Sequence, residues 1–324
     1  MKICIYGAGA IGGYIAVQLA GADHEVSLVA RGPHLAAIKD NGLTLKIDGQ
    51  EKIERFNVTD DPATLGTQDY VLVTLKAHSL PTVVPDLQPL LGPETSVVSA
   101  VNGIPWWYCH GLDLGERHIE AVDPGGVIWN GIGPERALGC VVYPSAEIES
   151  PGVIRHISDN KLSLGEPSGE KSERASAFAA ILMEGGFKAP VRPRLRDEIW
   201  IKLWGNLSFN PLSVLTGANL YTLATEPGTR AVARQMMLEA QAIGEALGVR
   251  FAVDVDKRID GAAAVGAHRT SMLQDFELGR PLETGALVEA VQELGRITQF
   301  PTSTIDMIYS LLTQRIAIRD SRSA

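Results

Sequence analysis

Residues 7–12 read Gly-Ala-Gly-Ala-Ile-Gly, and their flanks constrain this chain more than any other feature. Lys2 to Tyr6 is an apolar run of strand length. Ile11 to Ala20 has helical character, so Gly7-x-Gly9-x-x-Gly12 falls on a strand-to-helix turn. Gly7 permits the tight turn, Gly9 removes a Cβ where a pyrophosphate would approach the backbone, and Gly12 lets the helix pack closely on the strand. The helix start adds free N–H groups and the positive end of a dipole. The candidate phosphate loop is therefore Gly7, Ala8, Gly9, Ala10, Ile11 and Gly12. Glycine is common here, with 33 residues, so the spacing alone says little. The context decides: a second strand at Glu25 to Ala30 completes a βαβ unit. A competing reading takes Lys2 and the apolar stretch ending near Ala20-Gly21-Ala22 as a secretory signal. Such a segment has no use for three glycines at this spacing, so the N-terminus is expected to be mature structure.

Arg31 stands just past the second strand, where NAD-binding folds place a carboxylate that accepts from the ribose 2′-OH. A 2′-phosphate is repelled by a carboxylate and held by a guanidinium, so the sequence favours NADP(H). Gly42 to Ile47 and Ile53 to Val58 predict a hairpin turning at Asp48-Gly49. Tyr70 to Leu75 and Ser96 to Val101 are unbroken apolar runs, the mark of strands buried on both faces of a parallel sheet. Ligands bind beyond the carboxyl ends of such strands. Lys76 and Asn102 stand there and are candidate cofactor contacts, against a plain surface lysine and a turn-forming asparagine before Gly103. Trp106-Trp107-Tyr108 is expected to wall a pocket or an interface. Val122 to Trp129 and Gly139 to Pro144 read as further strands, Gly152 to Ile157 and Leu162 to Gly165 as an antiparallel pair, and Ser172 to Glu184 as a helix. Histidines 24, 34, 78, 110, 118, 156 and 268 do not cluster and are read as structural or exposed.

The βα alternation stops near Pro190 to Pro193, and helical periodicity runs to the end. This predicts an α/β fold with a Rossmann-type dinucleotide-binding domain over residues 1–193 and an all-helical domain over 194–324. The expected helices are Arg194 to Phe209, Pro227 to Leu247, Arg269 to Leu278, Pro281 to Gln299 and Pro301 to Ile318, with Arg319 to Ala324 a frayed tail. A formal net charge of −9 with no basic stripe argues against nucleic acid and anionic membranes as partners. No apolar run has the length of a membrane span. Cys4, Cys109 and Cys140 match neither a disulfide framework nor a metal site, which points to the cytoplasm.

In the helical half, Trp200, Leu203, Trp204 and Leu207 form one apolar face, and Ile199, Ile201 and Phe209 add apolar groups elsewhere around the helix. Lys202, Asn206 and Asn210 nevertheless stand at i, i+4 and i+8, one polar stripe on a helix that is otherwise buried. Either the lysine reaches to solvent beside two amides, or the stripe is a pocket floor that meets a polar ligand. The apolar surroundings favour the second, because a buried ammonium without a partner is costly.

On these residues the chain resembles the ketopantoate reductase family over nearly its whole length. The likeness rests on the glycine loop, Arg31, Lys76, Asn102-Gly103, Lys202-x-x-x-Asn206-x-x-x-Asn210-Pro211, and Ser271-Met272-Leu273-Gln274-Asp275 with Glu283 twelve residues on. It implies reduction of a 2-keto acid by NADPH, ketopantoate to pantoate, in pantothenate and coenzyme A synthesis, in a cleft between the two domains. It also implies that Lys202 is the general acid, that Glu283 assists at the substrate, and that Asn102, Asn206, Asn210 and Ser271 line the substrate site. Arg31, Lys76 and Asn102 would meet the cofactor. Without the resemblance, Glu283 reads as a carboxylate near a helix start after Pro281, and Ser271 as a first-turn serine. Family members usually follow the glutamate with a β-branched residue and an Asp; here Thr284 and Gly285 follow, with Gly285 where the Asp would stand. A further family asparagine has Asn219 as its only nearby counterpart. With Trp106-Trp107-Tyr108, these departures leave open a paralogue acting on another, bulkier 2-keto or hydroxy acid. A non-catalytic NADP-sensing protein is the reading from another class, and retained Lys202 and Glu283 argue against it. The long C-terminal helices permit a homodimer.

Overall fold

The computed structural model describes residues 1–21 and 23–323, the last of these by its backbone only. Ala22 at the end of the signal-like stretch and Ala324 at the end of the expected tail lie outside the described residues. The chain divides into two compact units, one made of Met1–His118 and Asp123–Leu195, the other of Ile119–Val122 and Arg196–Ala324.

The first unit opens with strand β1 (Lys2–Tyr6), helix α1 (Ala10–Leu19), β2 (Glu25–Val29) and α2 (Gly32–Asn41). It continues with β3 (Leu43–Ile47), β4 (Gln50–Glu54), β5 (Asn57–Thr59), β6 (Tyr70–Val73), α3 (Leu80–Leu87) and β7 (Ser96–Ser99). After α4 (Val127–Ile132) come β8 (Ala137–Val142), β9 (Ser145–Ser150), β10 (Val153–Ser158), β11 (Leu162–Gly165) and α5 (Glu173–Glu184). Seven strands form the main sheet in the order β11-β8-β7-β6-β1-β2-β5. All its pairings are parallel except that of β11 with β8. The apolar runs of β1, β6 and β7 are buried throughout their inner positions, as a sheet covered on both faces requires. The chain order reverses between β1 and β6, and the first βα turn with its glycines stands beside that switch point.

A second sheet, β4-β3-β10-β9, was not foreseen. The hairpin at Asp48-Gly49 forms as expected: Ile47 faces Gln50, and both turn residues take positive φ, the type I′ geometry. Its second arm is β4, however, and β5 leaves to join the main sheet. Residues 152–157 and 162–165 do not pair with each other. β10 pairs with β9 and, in parallel, with β3, while β11 pairs with β8. Val122 to Trp129 is not a strand either. Gly125 and Gly126 have φ near +70°, and the buried Asp123 carboxylate accepts from the N–H groups of Ile128 and Trp129, which starts α4 instead. Trp106, Trp107 and Tyr108 are core residues, each 2% exposed or less, and the Trp106 indole N–H donates to Ser99 Oγ.

The second unit consists of α6 (Leu195–Thr216), α7 (Leu220–Thr225), α8 (Pro227–Ala246), α9 (Val255–Ala264), α10 (Ser271–Glu277), α11 (Ala290–Thr298) and α12 (Ser303–Ser323). A π-helical turn over Gly285–Glu289 leads into α11. α7 and α9 are additional to the expected helices. α6 runs past Phe209 through Pro211 to Thr216; the ring removes one helical donor, but Leu212 and Val214 are buried and hold the backbone in place. α12 continues into the expected frayed tail as far as Ser323. Its Arg319 donates to the carbonyls of Phe276 and Arg280 and lies over the Phe276 ring.

One buried ion pair closes the far edge of the main sheet. Glu166, just after β11, is 4% exposed and receives Arg174 bidentately, Nε at 2.7 Å and Nη2 at 2.6 Å. Ser172, the N-cap of α5, donates to the same carboxylate. Arg174 also reaches the carbonyls of Glu135 and Ala137 at the entry to β8. Replacing Glu166 by Ala strands a partly buried guanidinium. The expected loss is about 3–5 kcal/mol of unfolding free energy, read from urea denaturation; a loss below about 1 kcal/mol, the level of an exposed pair, would show that the pair is peripheral to the fold.

Candidate functional site

A cavity of about 400 Å³ opens at the carboxyl ends of β1, β2 and β6 in the first unit. The glycine loop, Arg31, His34, Asp60 and residues of the α3 region line it. The three glycines of the motif stand there for different reasons. Gly7 has φ +107°, which a side chain resists. A Cβ on Gly12 would fall 2.1 Å from the Gly7 carbonyl oxygen and 2.5 Å from Thr74 Oγ1, so α1 can lie this close to the turn only with glycine there. Gly9 has an ordinary φ of −70°, and a Cβ on it would meet nothing within 4 Å. Nothing inside the protein requires glycine at position 9, and the space beside it is open.

The loop's carbonyls are turned away from that space. Thr74 Oγ1 donates to Gly7 O at 2.5 Å, and the His34 ring bonds Ala8 O at 2.7 Å. The N–H groups of Gly7 and Ala8 are used by Val29 O, whereas none of the backbone bonds among the described residues uses those of Gly9, Ala10 or Ile11. These three amides at the start of α1 form a cradle for an anion. Arg31 caps α2 with extended backbone, has an exposed side chain, and lines the same cavity. Tyr6 ends β1 there too. Burial, reinforced by the Asp86 carboxylate and opposed by the Arg31 guanidinium, pushes its phenol up to about 12, so it remains a neutral hydroxyl. The residues present therefore fit a dinucleotide: free amides for a pyrophosphate and a cation beside the second strand for an added phosphate. Cys4 lies beneath this end of the sheet, fully buried, and burial raises its thiol to about 12, which leaves it unreactive.

Lys76 is half-buried, caps a short 3₁₀ turn after β6, and does not line this cavity. Asn102 is half-buried in the bend after β7, before Gly103 at φ +84°.

The second unit carries the other candidates. On α6, Trp200, Leu203, Trp204 and Leu207 are all 1% exposed or less, while Lys202 and Asn206 are half-buried and Asn210 is 5% exposed. The stripe thus runs from the partly open side of α6 into the interior. Below it, Ser213 Oγ donates to Asn210 O and lies 2.6 Å from Thr270 Oγ1. Thr270 is the N-cap of α10, so this hydroxyl pair ties the end of the stripe to the helix whose first residue is Ser271. Ser271 itself is exposed. Asn219 caps α7 by accepting from Thr222 N–H, a structural use of its carbonyl. Arg258 on α9 donates to Ile201 O, and its guanidinium lies where a Cβ on Gly205 would stand. Sequence reading passed over this arginine.

Glu283 is half-buried and immediately precedes the turn into the π-helix. Two contacts explain why Thr284 and Gly285 follow it. A Cβ on Gly285 would fall 2.6 Å from Ala121 O. The segment Ile119–Val122 passes over this point and is held by Glu293, whose carboxylate accepts from the N–H groups of Glu120 and Ala121. Tyr309 on α12 bonds Glu289 and Thr284. Burial and then the Glu289 carboxylate raise its phenol above the usual range, while the Thr284 hydroxyl opposes them. Among the described residues no cluster of His, Cys, Asp and Glu could hold a metal ion, and no helix is long and apolar enough to cross a membrane.

Comparison with known proteins places the chain in one family. The family model for ketopantoate reductase PanE/ApbA matches residues 3–169, and its C-terminal counterpart matches residues 194–316. The chain is 56% identical to a 2-dehydropantoate 2-reductase of Mesorhizobium japonicum, with 98% of each chain covered. A candidate ketopantoate reductase of known structure from Ralstonia solanacearum superposes with a TM-score of 0.93 at 40% identity, covering 98% of each chain. The 2-dehydropantoate 2-reductase structure from Geobacter metallireducens superposes with a TM-score of 0.86 at 26% identity, covering 97% of this chain and 99% of that one. Both family models together span most of the sequence and the first of these relatives is alike over nearly its full length, so the chain belongs to the ketopantoate reductase family.

Proposed function

We propose that this chain reduces 2-dehydropantoate (ketopantoate) to pantoate with NADPH, a step of pantothenate and coenzyme A synthesis. The observation that carries the reading is the full-length likeness to the Mesorhizobium japonicum enzyme, and the open amide cradle beside Arg31 supplies its physical basis. In this reading residues 1–193 bind the cofactor and residues 194–324 supply substrate and proton chemistry. Gly7 to Gly12 hold the pyrophosphate through Gly9, Ala10 and Ile11 N–H, Arg31 holds the 2′-phosphate, and Lys76 and Asn102 serve the rest of the cofactor. NADPH, when bound, supplies the hydride.

The ketone oxygen gains negative charge as its carbon is reduced. Lys202 stabilises that charge by donating from its ammonium and then gives up the proton. The apolar packing around α6 lowers the local dielectric, which strengthens such a bond. Asn206, Asn210, Asn102 and Ser271 orient the substrate, and Glu283 takes its hydroxyl or holds the ammonium. A bulkier keto acid has less support than the sequence suggested, because Trp106, Trp107 and Tyr108 are packed into the core. Two further parts of the proposal are a cytoplasmic location, in keeping with three buried cysteines that form no disulfide, and a homodimer, for which α12 offers exposed Met307, Leu311 and Ile318.

Two outcomes test this reading. Lys202→Ala should lower kcat for ketopantoate by roughly 10²–10⁴, the range for a positioned general acid, with NADPH affinity nearly unchanged. Lys202→Arg should not rescue it, since a guanidinium keeps its proton. Turnover within a few-fold of the parent would make Lys202 a structural lysine. Arg31→Ala should weaken NADPH binding by about 1.5–3 kcal/mol, the worth of a charge-assisted bond, and leave NADH nearly unaffected. Equal losses for the two cofactors in fluorescence titrations would remove the 2′-phosphate from Arg31.

A further inference from the structure

His34 was read from the sequence as structural or exposed, and its contacts ask for more than that. It stands in the first turn of α2, three residues after Arg31, and its half-buried ring lines the cavity. The ring bonds at both nitrogens. Nε2 lies 2.7 Å from Ala8 O in the glycine loop, and Nδ1 lies 3.0 Å from the N–H of Gly152 in the β9–β10 turn. A carbonyl only accepts and a backbone N–H only donates. These two partners therefore fix one neutral tautomer, with the proton on Nε2 and a lone pair on Nδ1.

The far end of the brace is firmly mounted. Gly152 has φ +80°, its carbonyl accepts from Thr44 N–H at the start of β3, and a Cβ on it would stand 3.0 Å from Ala37 Cβ on α2. The second sheet is also pressed against α1, since Ile154 Cγ1 lies 2.9 Å from where a Cβ on Gly13 would be. The near end acts on the loop. In a planar trans peptide the carbonyl and the next N–H point in opposite directions. Holding Ala8 O toward His34 therefore aims Gly9 N–H the other way, toward the open space in front of Gly9.

We propose that His34 is a positioning residue for the dinucleotide: by clamping Ala8 O between α2 and the second sheet, it presents the Gly9 amide to the pyrophosphate. The inference rests on the dinucleotide reading of this cavity and adds to it a part for the small sheet, which anchors the clamp. Because the pyrophosphate is common to both cofactors, His34 governs affinity for NADPH and NADH alike, in contrast to Arg31.

The test is titration of NADPH and of NADH, with melting temperatures, for the parent, His34→Ala, His34→Asn and His34→Gln. Asn keeps an acceptor near the Nδ1 position for Gly152 but is too short to reach Ala8 O, so it separates the clamp from the anchoring of α2. Gln places an amide N–H near the Nε2 position. The expected result is that Ala and Asn weaken both cofactors by a similar factor, about five- to tenfold for the loss of one orienting bond, while Gln recovers most of the loss. The increase should fall on KM for the dinucleotide, not on KM for the keto acid. In the parent, ¹⁵N spectra should show His34 protonated at Nε2 only. Parent-like affinity in His34→Asn, or a loss confined to NADPH, would overturn the clamp. A parent that takes up neither dinucleotide would overturn the underlying reading of the cavity as well.

Discussion

The first unit depends on the contact between α1 and the turn that precedes it. Gly12 lies against Gly7 O and Thr74 Oγ1 so closely that a single methyl group would collide with both. That contact sets α1 on the sheet beside the switch point and directs its first amides outward. It also leaves Gly13 facing the second sheet at a distance only glycine allows. The turn is thus held by packing from α1, by the Thr74 hydroxyl on Gly7 O and by His34 on Ala8 O. The carbonyls of Gly7 and Ala8 are held by the protein, and the N–H groups of Gly9, Ala10 and Ile11 are used by none of the backbone bonds among the described residues.

The second unit makes a different use of burial. α6 is apolar on nearly every side, and long charged or amide side chains in such a setting are costly unless they are paired or hydrated. Lys202 and Asn206 sit on its half-open flank, and Asn210 is buried. The Ser213–Thr270 hydroxyl pair fixes where α10 begins, and the close pass of Ala121 over Gly285 fixes where the chain turns after Glu283. Residues far apart in sequence are thereby mounted on backbone that has little room to shift. Under the proposed function, such mounting would hold an ammonium and its neighbours ready for charge that develops on a substrate oxygen.

Much of this was legible in the sequence where the signal is local. The glycine loop, the buried strands, the Asp48-Gly49 turn and the period of α8 all follow from neighbours a few residues apart. What depended on distant partners was not. β10 reads like a half-buried strand whichever neighbour it has, and nothing in Val153–Ser158 states that β3 rather than β11 lies beside it. Trp106-Trp107-Tyr108 looked like a wall because aromatic runs often are one; their burial is decided by Ser99 and by Gly139, whose missing Cβ leaves room for Trp107. Gly125 and Gly126 were the available warning against a strand at Val122 to Trp129. The reason for Gly285 lies in a backbone segment more than 160 positions away. His34 was dismissed because it clusters with no other titratable group, and its partners are both backbone atoms.

Under the proposed function, Gly12 is glycine for the protein's own packing and Gly9 is glycine for the ligand. Parallel thermal melts and NADPH titrations of Gly9→Ala and Gly12→Ala test it most directly. Gly12→Ala should be destabilised by about 1–3 kcal/mol or more, the cost of forcing a methyl group into packed structure. Gly9→Ala should melt close to the parent and yet bind NADPH at least about tenfold more weakly, a loss of about 1.4 kcal/mol. A Gly9→Ala protein that binds NADPH as the parent does would contradict the claim, and with it the assignment of the pyrophosphate to this loop.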